Sequence, residues 1–192
     1  MGREFELKYA ASAEVLTALA EKYGPGRCIH MESTYFDTRD NRLSKARMTL
    51  RLRKENDETV CTLKTPLPDG SRGEWECPAD HIQNGIAALM ALGAPSVLGE
   101  LTAEGVVPVC GARFTRCAID LPTFDGMAEL ALDSGVLTGG GREIPLCEVE
   151  IELKSGSEEA ACALAKALAA AYGLKGESKS KFRRAMDLAQ GE

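Results

Sequence analysis

Charged and apolar residues alternate along six segments of the chain, with the period of two that is typical of β-strands. The alternating segments are 4–8, 50–53, 62–64, 72–76, 129–133 and 148–153. Because successive side chains of a strand point to opposite faces, the charged residues of each segment share one face. Some of these stripes are acidic, such as Glu148, Glu150 and Glu152, and others are basic, such as Arg51 and Arg53.

Further strands are predicted near 31–37 and 112–121, and a hairpin is predicted to join 48–54 to 59–64. Helical periodicity predicts the helices 13–22, 81–92, 97–104, 158–172 and 179–190. Ser12, Asp80 and Ser157 are expected to cap the helices 13–22, 81–92 and 158–172. Gly173 is expected to end the helix 158–172. We find no internal repeat or linker, so residues 1–192 are interpreted as a single domain.

The charged stripes have two interpretations, since each segment could be an amphipathic strand with its charged face in water. Carboxylates two residues apart on a strand lie roughly 6.5–7 Å from each other. Their repulsion is about 0.6 kcal/mol in water and nearer 2.4 kcal/mol at an effective dielectric constant of about 20. An enclosed acidic stripe therefore needs a compensating cation, whereas a solvated one does not.

The division into acidic and basic strands favours the enclosed arrangement, because it suits a cavity with complementary walls. The apolar alternates also need a covering layer, which helices such as 158–172 can provide from outside. The pattern thus predicts an α+β fold, a barrel with charge inside and apolar residues outward under helices. A charged interior of this kind is suited to an anionic ligand bound together with metal.

Composition and charge exclude some classes of partner and location. The net charge of −6 argues against a nucleic-acid partner, and no apolar run reaches the roughly 18 residues of a membrane span. The first residues carry no signal-peptide pattern, so we expect a cytoplasmic protein without a membrane partner. The seven cysteines form no Cys-x-x-Cys motif and are interpreted mainly as small buried residues in a reducing compartment.

The segment Glu4-Phe5-Glu6-Leu7-Lys8 resembles the Glu-x-Glu-x-Lys signature of the CYTH, or triphosphate tunnel metalloenzyme, superfamily. The resemblance continues in the family's order over essentially the whole chain. The matching elements are Tyr35-Phe36-Asp37-Thr38, Arg51-Leu52-Arg53, Thr62-Leu63-Lys64, Arg72-x-Glu74, Arg116, Asp133, Glu148-Val149-Glu150-Ile151-Glu152 and Ser180-Lys181. It implies a closed antiparallel tunnel of about eight strands with charged residues pointing inward.

The resemblance also implies roles for individual residues. The residues implied to bind phosphate are Lys8, Arg51, Arg53, Lys64, Arg72, Arg116 and Lys181. The residues implied to bind metal are Glu4, Glu6, Glu148 and Glu150, with Asp133, Glu76 and Glu152 as further candidates. Oxygen ligands of this kind suit Mg²⁺ or Mn²⁺.

The implied activity is metal-dependent hydrolysis of inorganic triphosphate to diphosphate and phosphate. Thiamine triphosphate or a nucleoside triphosphate, an adenylyl cyclase activity, and binding of polyphosphate without cleavage remain alternatives. Tyr35 near Lys64 is a candidate general base, because an ammonium group lowers the pKa of a nearby phenol. Packing is the other interpretation of Tyr35. Asp37 is interpreted as a turn residue, with a ligand as the alternative. Arg183 and Arg184 are interpreted as part of a solvated helical face, with positive charge at the tunnel mouth as the alternative. The sequence does not indicate the oligomeric state.

Overall fold

The computed structural model describes residues 2–3, 5–67 and 72–191, and the predicted metal ligand Glu4 lies outside them. The strands are β1 (Gly2–Arg3), β2 (Glu6–Ala10), β3 (Arg27–Asp37), β4 (Thr49–Glu55), β5 (Glu58–Pro66), β6 (Arg72–Pro78), β7 (Val107–Pro122), β8 (Met127–Gly139), β9 (Arg142–Ser155) and β10 (Lys175–Gly176). The helices are α1 (Ala13–Tyr23), α2 (Arg42–Lys45), α3 (Ile82–Ala91), α4 (Val97–Thr102), α5 (Glu158–Tyr172) and α6 (Lys181–Gln190).

All of these strands belong to one antiparallel sheet with the order β1-β6-β5-β4-β3-β7-β8-β9-β2-β10. The order runs from β1 to β10 without returning to its start, so the predicted closed barrel is not confirmed. However, β1 and β2 stand near opposite ends of this order and are separated by only two residues. Three Cα–Cα steps span at most about 11 Å, so the sheet must curl strongly to place both strands in it.

Two apolar clusters cover the convex face of this curled sheet. In one cluster, Leu19 of α1 and Leu168 of α5 pack with Ile151 and other residues of β7, β8 and β9. In the other, the helices α2, α3 and α4 pack on β4, β5 and β6 around Leu63 and Trp75. Apolar alternates of the charged stripes therefore face outward under helices, as the alternation predicted.

The helix α6 departs from the prediction that all helices lie outside, because it packs on the concave face. Its residues Ala185 and Met186 are buried against Tyr35, Phe114 and neighbouring residues of β3, β7, β8 and β9. Gly139 permits this approach, since a Cβ at that position would lie 2.4 Å from the carbonyl oxygen of Ala185. The prediction was wrong here because the polar residues of α6 resemble a solvated face in the sequence.

Several predicted boundaries are confirmed closely. The Ser12 hydroxyl caps α1, the Ser157 hydroxyl accepts from the backbone N–H of Ala160 at the start of α5, and Gly173 ends α5 at φ 63°. The expected cap of α3 is wrong, because the N-cap position is His81 rather than Asp80. The two-residue strands β1 and β10 and the single turn α2 are too short for periodicity to reveal them.

Asp37 is the last residue of β3 rather than a turn residue, but its carboxylate organises the connection from β3 to β4. Its buried carboxylate accepts hydrogen bonds from the backbone N–H groups of Thr38 at 2.7 Å, Leu43 at 2.9 Å and Ser44 at 3.0 Å. The Ser44 hydroxyl donates a fourth bond at 2.5 Å. This carboxylate therefore takes the place of a helix cap for α2. No helix among the described residues is both long and apolar enough to cross a membrane.

We expect Asp37→Ala to lower the free energy of unfolding by about 3 kcal/mol, because three backbone N–H groups, two of them buried, lose a charged acceptor. Urea unfolding followed by circular dichroism measures this change. Asp80→Ala is the matched control, since Asp80 is exposed and is not the helix cap, and it should change stability by less than about 0.5 kcal/mol. Equal losses in the two variants would contradict the role given to Asp37.

Candidate functional site

The concave face of the sheet surrounds a cavity of about 380 Å³, lined by the strands β2 to β9 and by the start of α6. Most of the residues predicted from the sequence meet there. Those that line the cavity are Glu6, Lys8, Tyr35, Arg51, Arg53, Lys64, Arg72, Glu76, Arg116, Glu150, Glu152 and Lys181. Asp133 and Glu148 are fully buried beside it, on β8 and β9.

Three carboxylates meet at the centre of the site. Asp133 lies opposite Glu148 in the register of β8 and β9, and Glu150 is two residues further along β9. One oxygen atom from each of the three lies within 4.8 Å of the others. Hard oxygen ligands at this spacing can hold a divalent metal ion. The alternation along β9 produces this cluster, because it turns both glutamates to the concave face.

The ammonium group of Lys181 lies among these three carboxylates. Its Nζ is 2.8 Å from Asp133 Oδ2 and 2.7 Å from Glu150 Oε1, and it also contacts Glu148 Oε1. Lys181 begins α6 directly after the Ser180 cap, so the helix delivers the charge from the concave side. The ammonium supplies the compensating cation that an enclosed acidic cluster requires.

Two arginines complete this network. Arg116 donates two hydrogen bonds to Asp133, from Nε and Nη2, both at 2.7 Å, and a further one to Glu150. Arg184 of α6 pairs with Glu148 through Nη2 and lies 3.7 Å from Glu177. Three acids thus face three bases, and the cluster is neutral overall.

Burial and charge separate the two glutamates of β9. Burial raises the pKa of Glu148 to about 7, although Lys181 opposes this shift. Burial acts in the same direction on Glu150, but attraction to Lys181 and Arg116 outweighs it and holds the pKa well below its usual 4.5. The pKa of Lys181 is itself raised, because its three carboxylates outweigh the cost of burying it. Lys181 therefore remains an ammonium. Of the two glutamates, Glu148 takes up a proton more readily than Glu150.

Arg51 and Arg53 form the basic wall of the cavity. The Nε of each is buried and has no hydrogen-bond partner among the residues that the structure describes. Arg51 Nη2 donates to Thr62 at 3.2 Å and lies 3.7 Å from Glu76, whereas Arg53 pairs with Glu55. Burial, followed by repulsion from Arg51, lowers the pKa of Arg53. Two adjacent buried guanidinium groups with unused donors provide strong binding groups for an anion.

The lysines of the cavity lie beside acidic neighbours. Lys8 Nζ is 3.0 Å from Glu6, and Lys64 Nζ is 3.4 Å from Glu74. Arg72 is exposed, 3.5 Å from the Thr49 hydroxyl. These basic groups surround the Arg51 and Arg53 wall.

A second acidic row lies at one end of the cavity. Glu152 stands between Glu6 and Glu129 in the register of β2, β9 and β8. Lys154 pairs with Glu152 at 2.8 Å and with Glu129 at 3.9 Å, and Arg27 reaches Glu129 at 2.8 Å. The sequence placed Glu129 in a charged stripe but gave it no role, and Arg27 lay before the predicted start of its strand.

Aromatic residues of the site differ in their placement. The Tyr35 ring is buried in the cavity wall, and its centroid lies 5.1 Å from that of Phe182. Its strand β3 is separated from Lys64 on β5 by β4. Trp75 belongs to the convex apolar cluster and is 6% exposed, so the possibility that it stacks on a ligand in the cavity is excluded.

The two consecutive arginines of α6 also differ. Arg183 is on the solvated face that the sequence predicted, 2.7 Å from Asp187, with a side chain 58% exposed. Arg184 faces inward with a side chain only 17% exposed, so the prediction of a solvated face is wrong for this residue. A helical spacing of three residues from Lys181 was the signal that could have placed it on the same face.

A curled antiparallel sheet around a densely charged cavity is the class of structure that this geometry defines. The CYTH domain family matches residues 2–186, and the chain belongs to this family. The chain is 30% identical over 166 residues to a protein of Haemophilus influenzae named inorganic triphosphatase. That alignment covers 82% of this chain and 47% of the relative, so the chain spans about half the length of the curated relative that it matches.

Solved structures support the same fold. A candidate adenylate cyclase from Bacillus halodurans superimposes with a TM-score of 0.68 at 23% identity, covering 96% of this chain and 98% of that one. A candidate adenylyl cyclase from Hippeastrum, described as having a dominant triphosphatase activity, has a TM-score of 0.67 at 21% identity and covers 98% of this chain and 96% of that one. At these identities the likeness establishes the fold.

We expect Arg184→Met to lower the free energy of unfolding by about 2 kcal/mol, because Glu148 loses one of its two buried cations and keeps Lys181. Arg183→Met removes the adjacent arginine from an exposed ion pair and should cost less than about 1 kcal/mol. Chemical denaturation of both variants beside the parent measures the difference. The inward assignment of Arg184 is wrong if Arg183→Met is the more damaging change.

Proposed function

We propose that the chain binds a triphosphate in the charged cavity and hydrolyses inorganic triphosphate to diphosphate and phosphate with Mg²⁺ or Mn²⁺. The observation that carries the proposal is the pair Arg51 and Arg53, whose buried Nε donors have no partner in the described part of the chain. Buried donors without acceptors are costly, and an anion's oxygens would satisfy them. The 30% sequence identity between this chain and a protein named inorganic triphosphatase supports this choice of anion.

We also propose that the sheet forms a closed tunnel around the substrate. Gly2–Arg3 pairs with β6, while Glu6–Ala10 pairs with β9, so β1 and β2 contact opposite sides of the sheet. A tunnel would remove most water from the cavity and strengthen each contact between phosphate and guanidinium. It would also limit the substrate to a slender chain of phosphates.

The basic residues divide into two groups by their present partners. Arg116 and Lys181 are held by the central carboxylates, so their main contribution is to fix the positions of Asp133 and Glu150. Arg51 and Arg53 have unused donors and are assigned to the phosphates. Lys8, Lys64 and Arg72 supply further positive charge around them.

The carboxylates of the cavity fit a hard divalent ion by their oxygen chemistry. Glu150, Glu6 and Glu152 face the cavity and would hold the ion. Asp133 and Glu148 offer oxygens of the same kind. All three central carboxylates, Asp133, Glu148 and Glu150, contact the Lys181 ammonium, so an ion held by any of them would compete with Lys181. When bound, the metal neutralises phosphate charge and lowers the pKa of an attacking water.

Phosphoryl transfer requires mainly positioning and charge stabilisation from the protein. Arg51 and Arg53 would orient the phosphate oxygens and stabilise the charge that develops on them. The hydroxyl of Tyr35 is in the cavity wall and is retained as the candidate group that takes a proton from the attacking water, with Lys64 on the same face. The alternative, that Tyr35 packs against Phe182, is favoured by the 5.1 Å ring contact.

Organic triphosphates form the second candidate class of substrate. The burial of Trp75 on the convex side removes one aromatic surface on which a thiamine or nucleobase could stack. Two of the structural neighbours are named as candidate adenylyl cyclases, so a reaction of a nucleoside triphosphate is one alternative. Binding of polyphosphate without cleavage is another. Each of these alternatives gives a different result when the products of tripolyphosphate, ATP and thiamine triphosphate are measured.

We expect metal-dependent phosphate release from tripolyphosphate to be faster than release from ATP or thiamine triphosphate. Glu150→Gln should lower kcat by about 10²-fold or more, because it removes a charged oxygen from the cavity. Glu143→Gln is the matched control, since Glu143 is an exposed residue of the same strand and its side chain pairs with the exposed Arg113, away from the cavity residues. Phosphate release with Mg²⁺, with Mn²⁺ and with EDTA measures these rates.

Other outcomes distinguish the alternatives. Preferred cleavage of ATP or thiamine triphosphate would replace inorganic triphosphate as the substrate, and formation of cyclic AMP with diphosphate would identify a cyclase. Tight binding of tripolyphosphate by calorimetry without release in any metal would identify a binding module. A Glu150→Gln variant as active as the parent would contradict the assignment of the site.

The proton-accepting role of Tyr35 predicts that Tyr35→Phe lowers kcat by about 10²-fold or more while KM changes little. The ring and its contact with Phe182 are kept in this variant, so packing is preserved. Steady-state kinetics with tripolyphosphate measures both constants. An unchanged kcat would refute the role and leave Tyr35 as a packing residue.

A further inference from the structure

Two pairs of cysteines face each other across neighbouring strands. Cys28 of β3 is the register partner of Cys117 of β7, and Cys61 of β5 is the register partner of Cys77 of β6. All four are free thiols. The interpretation of the cysteines as small buried residues holds for Cys61 and Cys77 but is wrong for Cys28, which is exposed.

The first pair occupies a non-hydrogen-bonded position of the sheet. His30 directs its backbone towards β4, because its carbonyl accepts from Asn56 N at 2.9 Å and its N–H donates to Asn56 Oδ1 at 3.0 Å. Backbone groups of alternate residues in a strand point the same way, so those of Cys28 also point away from β7. Cys28 and Cys117 are therefore opposed without hydrogen bonds between them.

That class of position suits a disulfide. Opposed residues without hydrogen bonds have Cα atoms about 4.5 Å apart and the closer of the two side-chain spacings. A disulfide requires Cα atoms about 4.4–6.8 Å apart and Cβ atoms about 3.5–4.5 Å apart. Positions of this class meet the first requirement and approach the second without a shift of the strands.

The second pair belongs to the other class. Ala79 N donates to Thr59 O at 3.1 Å, and these residues are two positions from Cys77 and Cys61 in the same register. Cys61 and Cys77 are thus a hydrogen-bonded pair, with Cα atoms about 5.5 Å apart and more widely spaced side chains. Both are buried under α3, and burial raises the pKa of Cys61 to about 12, which suppresses its thiolate. This pair is an internal control for the first.

Glycine at position 26 leaves space for the sulfur of Cys117. Its Sγ lies beside Gly26, and a Cβ on Gly26 would come within 2.5 Å of it. The absence of a side chain there accommodates the sulfur, and rotation about the single Cα–Cβ bond of Cys117 reorients it along the sheet. Cys117 itself is half-buried, whereas Cys28 is open to solvent.

We propose that Cys28 and Cys117 form a dithiol site that a small disulfide, such as oxidised glutathione, converts into an intramolecular disulfide. The exposed Cys28 thiolate attacks one sulfur of the reagent and releases one glutathione thiol. Cys117 then attacks the Cys28 sulfur and releases the second. Two electrons pass from the protein thiols to the reagent, and the two thiol protons end on the two glutathione molecules.

The experiment incubates the folded full chain with oxidised glutathione, quenches with acid, alkylates the remaining thiols and maps the peptides by mass spectrometry. The expected product has lost two hydrogen atoms and contains a Cys28–Cys117 cross-linked peptide, with Cys61 and Cys77 fully alkylated. Dithiothreitol should restore both thiols. Because no step uses phosphate chemistry, the result is independent of the proposed function.

Single variants test the order of the two steps. Cys117→Ser should accumulate a glutathione adduct on Cys28, Cys28→Ser should form no intramolecular cross-link, and Cys61→Ser should react like the parent. The proposal is overturned if the parent chain keeps a stable glutathione adduct on Cys28 while Cys117 remains free for alkylation. It is equally overturned if both thiols remain reduced, or if Cys61 and Cys77 are the pair that cross-links.

Discussion

The interior of this protein depends on the contact between the Lys181 ammonium and three carboxylates, Asp133, Glu148 and Glu150. Removing several charges from water is costly, and the cost is offset only when opposite charges meet with good hydrogen-bond geometry. Arg116 of β7 pairs with Asp133, and Arg184 of α6 pairs with Glu148, so each of these acids has an arginine partner as well. The network explains why a helix rich in charged residues lies on the concave face, where an apolar helix would leave the acids uncompensated.

This neutral centre also divides the cavity. The acids that face Lys181 are already paired, whereas the buried Nε donors of Arg51 and Arg53 on β4 have no hydrogen-bond partner among the described residues. The basic strand β4 and the acidic strand β9 are not neighbours in the sheet, and they line different parts of one cavity.

Much of this was predictable from alternation along the strands. Arg51 and Arg53 alternate with leucines, and Glu148 and Glu150 alternate with Val149 and Ile151, so one argument of period two placed all four on one face. The same parity put Trp75 opposite Glu74 and Glu76, which is where the structure has it. Local caps at Ser12, Ser157 and Gly173 were predictable because they depend on nearest neighbours alone.

The position of α6 was not predictable in this way, because a helix with three basic residues has the same pattern on a solvated surface as over a buried acidic cluster. Nor could periodicity reveal Arg27 as a partner of Glu129, since that contact depends on how far β3 extends beyond its apolar core. Both features are set by tertiary pairing between segments more than thirty residues apart, such as 148 with 181 and 184. Local sequence patterns do not contain that information.

The place of α6 in the chain has a consequence for how the molecule is made. Every long strand of the sheet is synthesised before this helix, so the ribosome releases the buried acids first and the lysine and arginine that neutralise two of them last. Until α6 emerges, water or protons must hold those carboxylates, and the sheet cannot close over them without a large electrostatic cost. Packing of α6 is therefore the step that replaces water around these carboxylates with the side chains of Lys181 and Arg184.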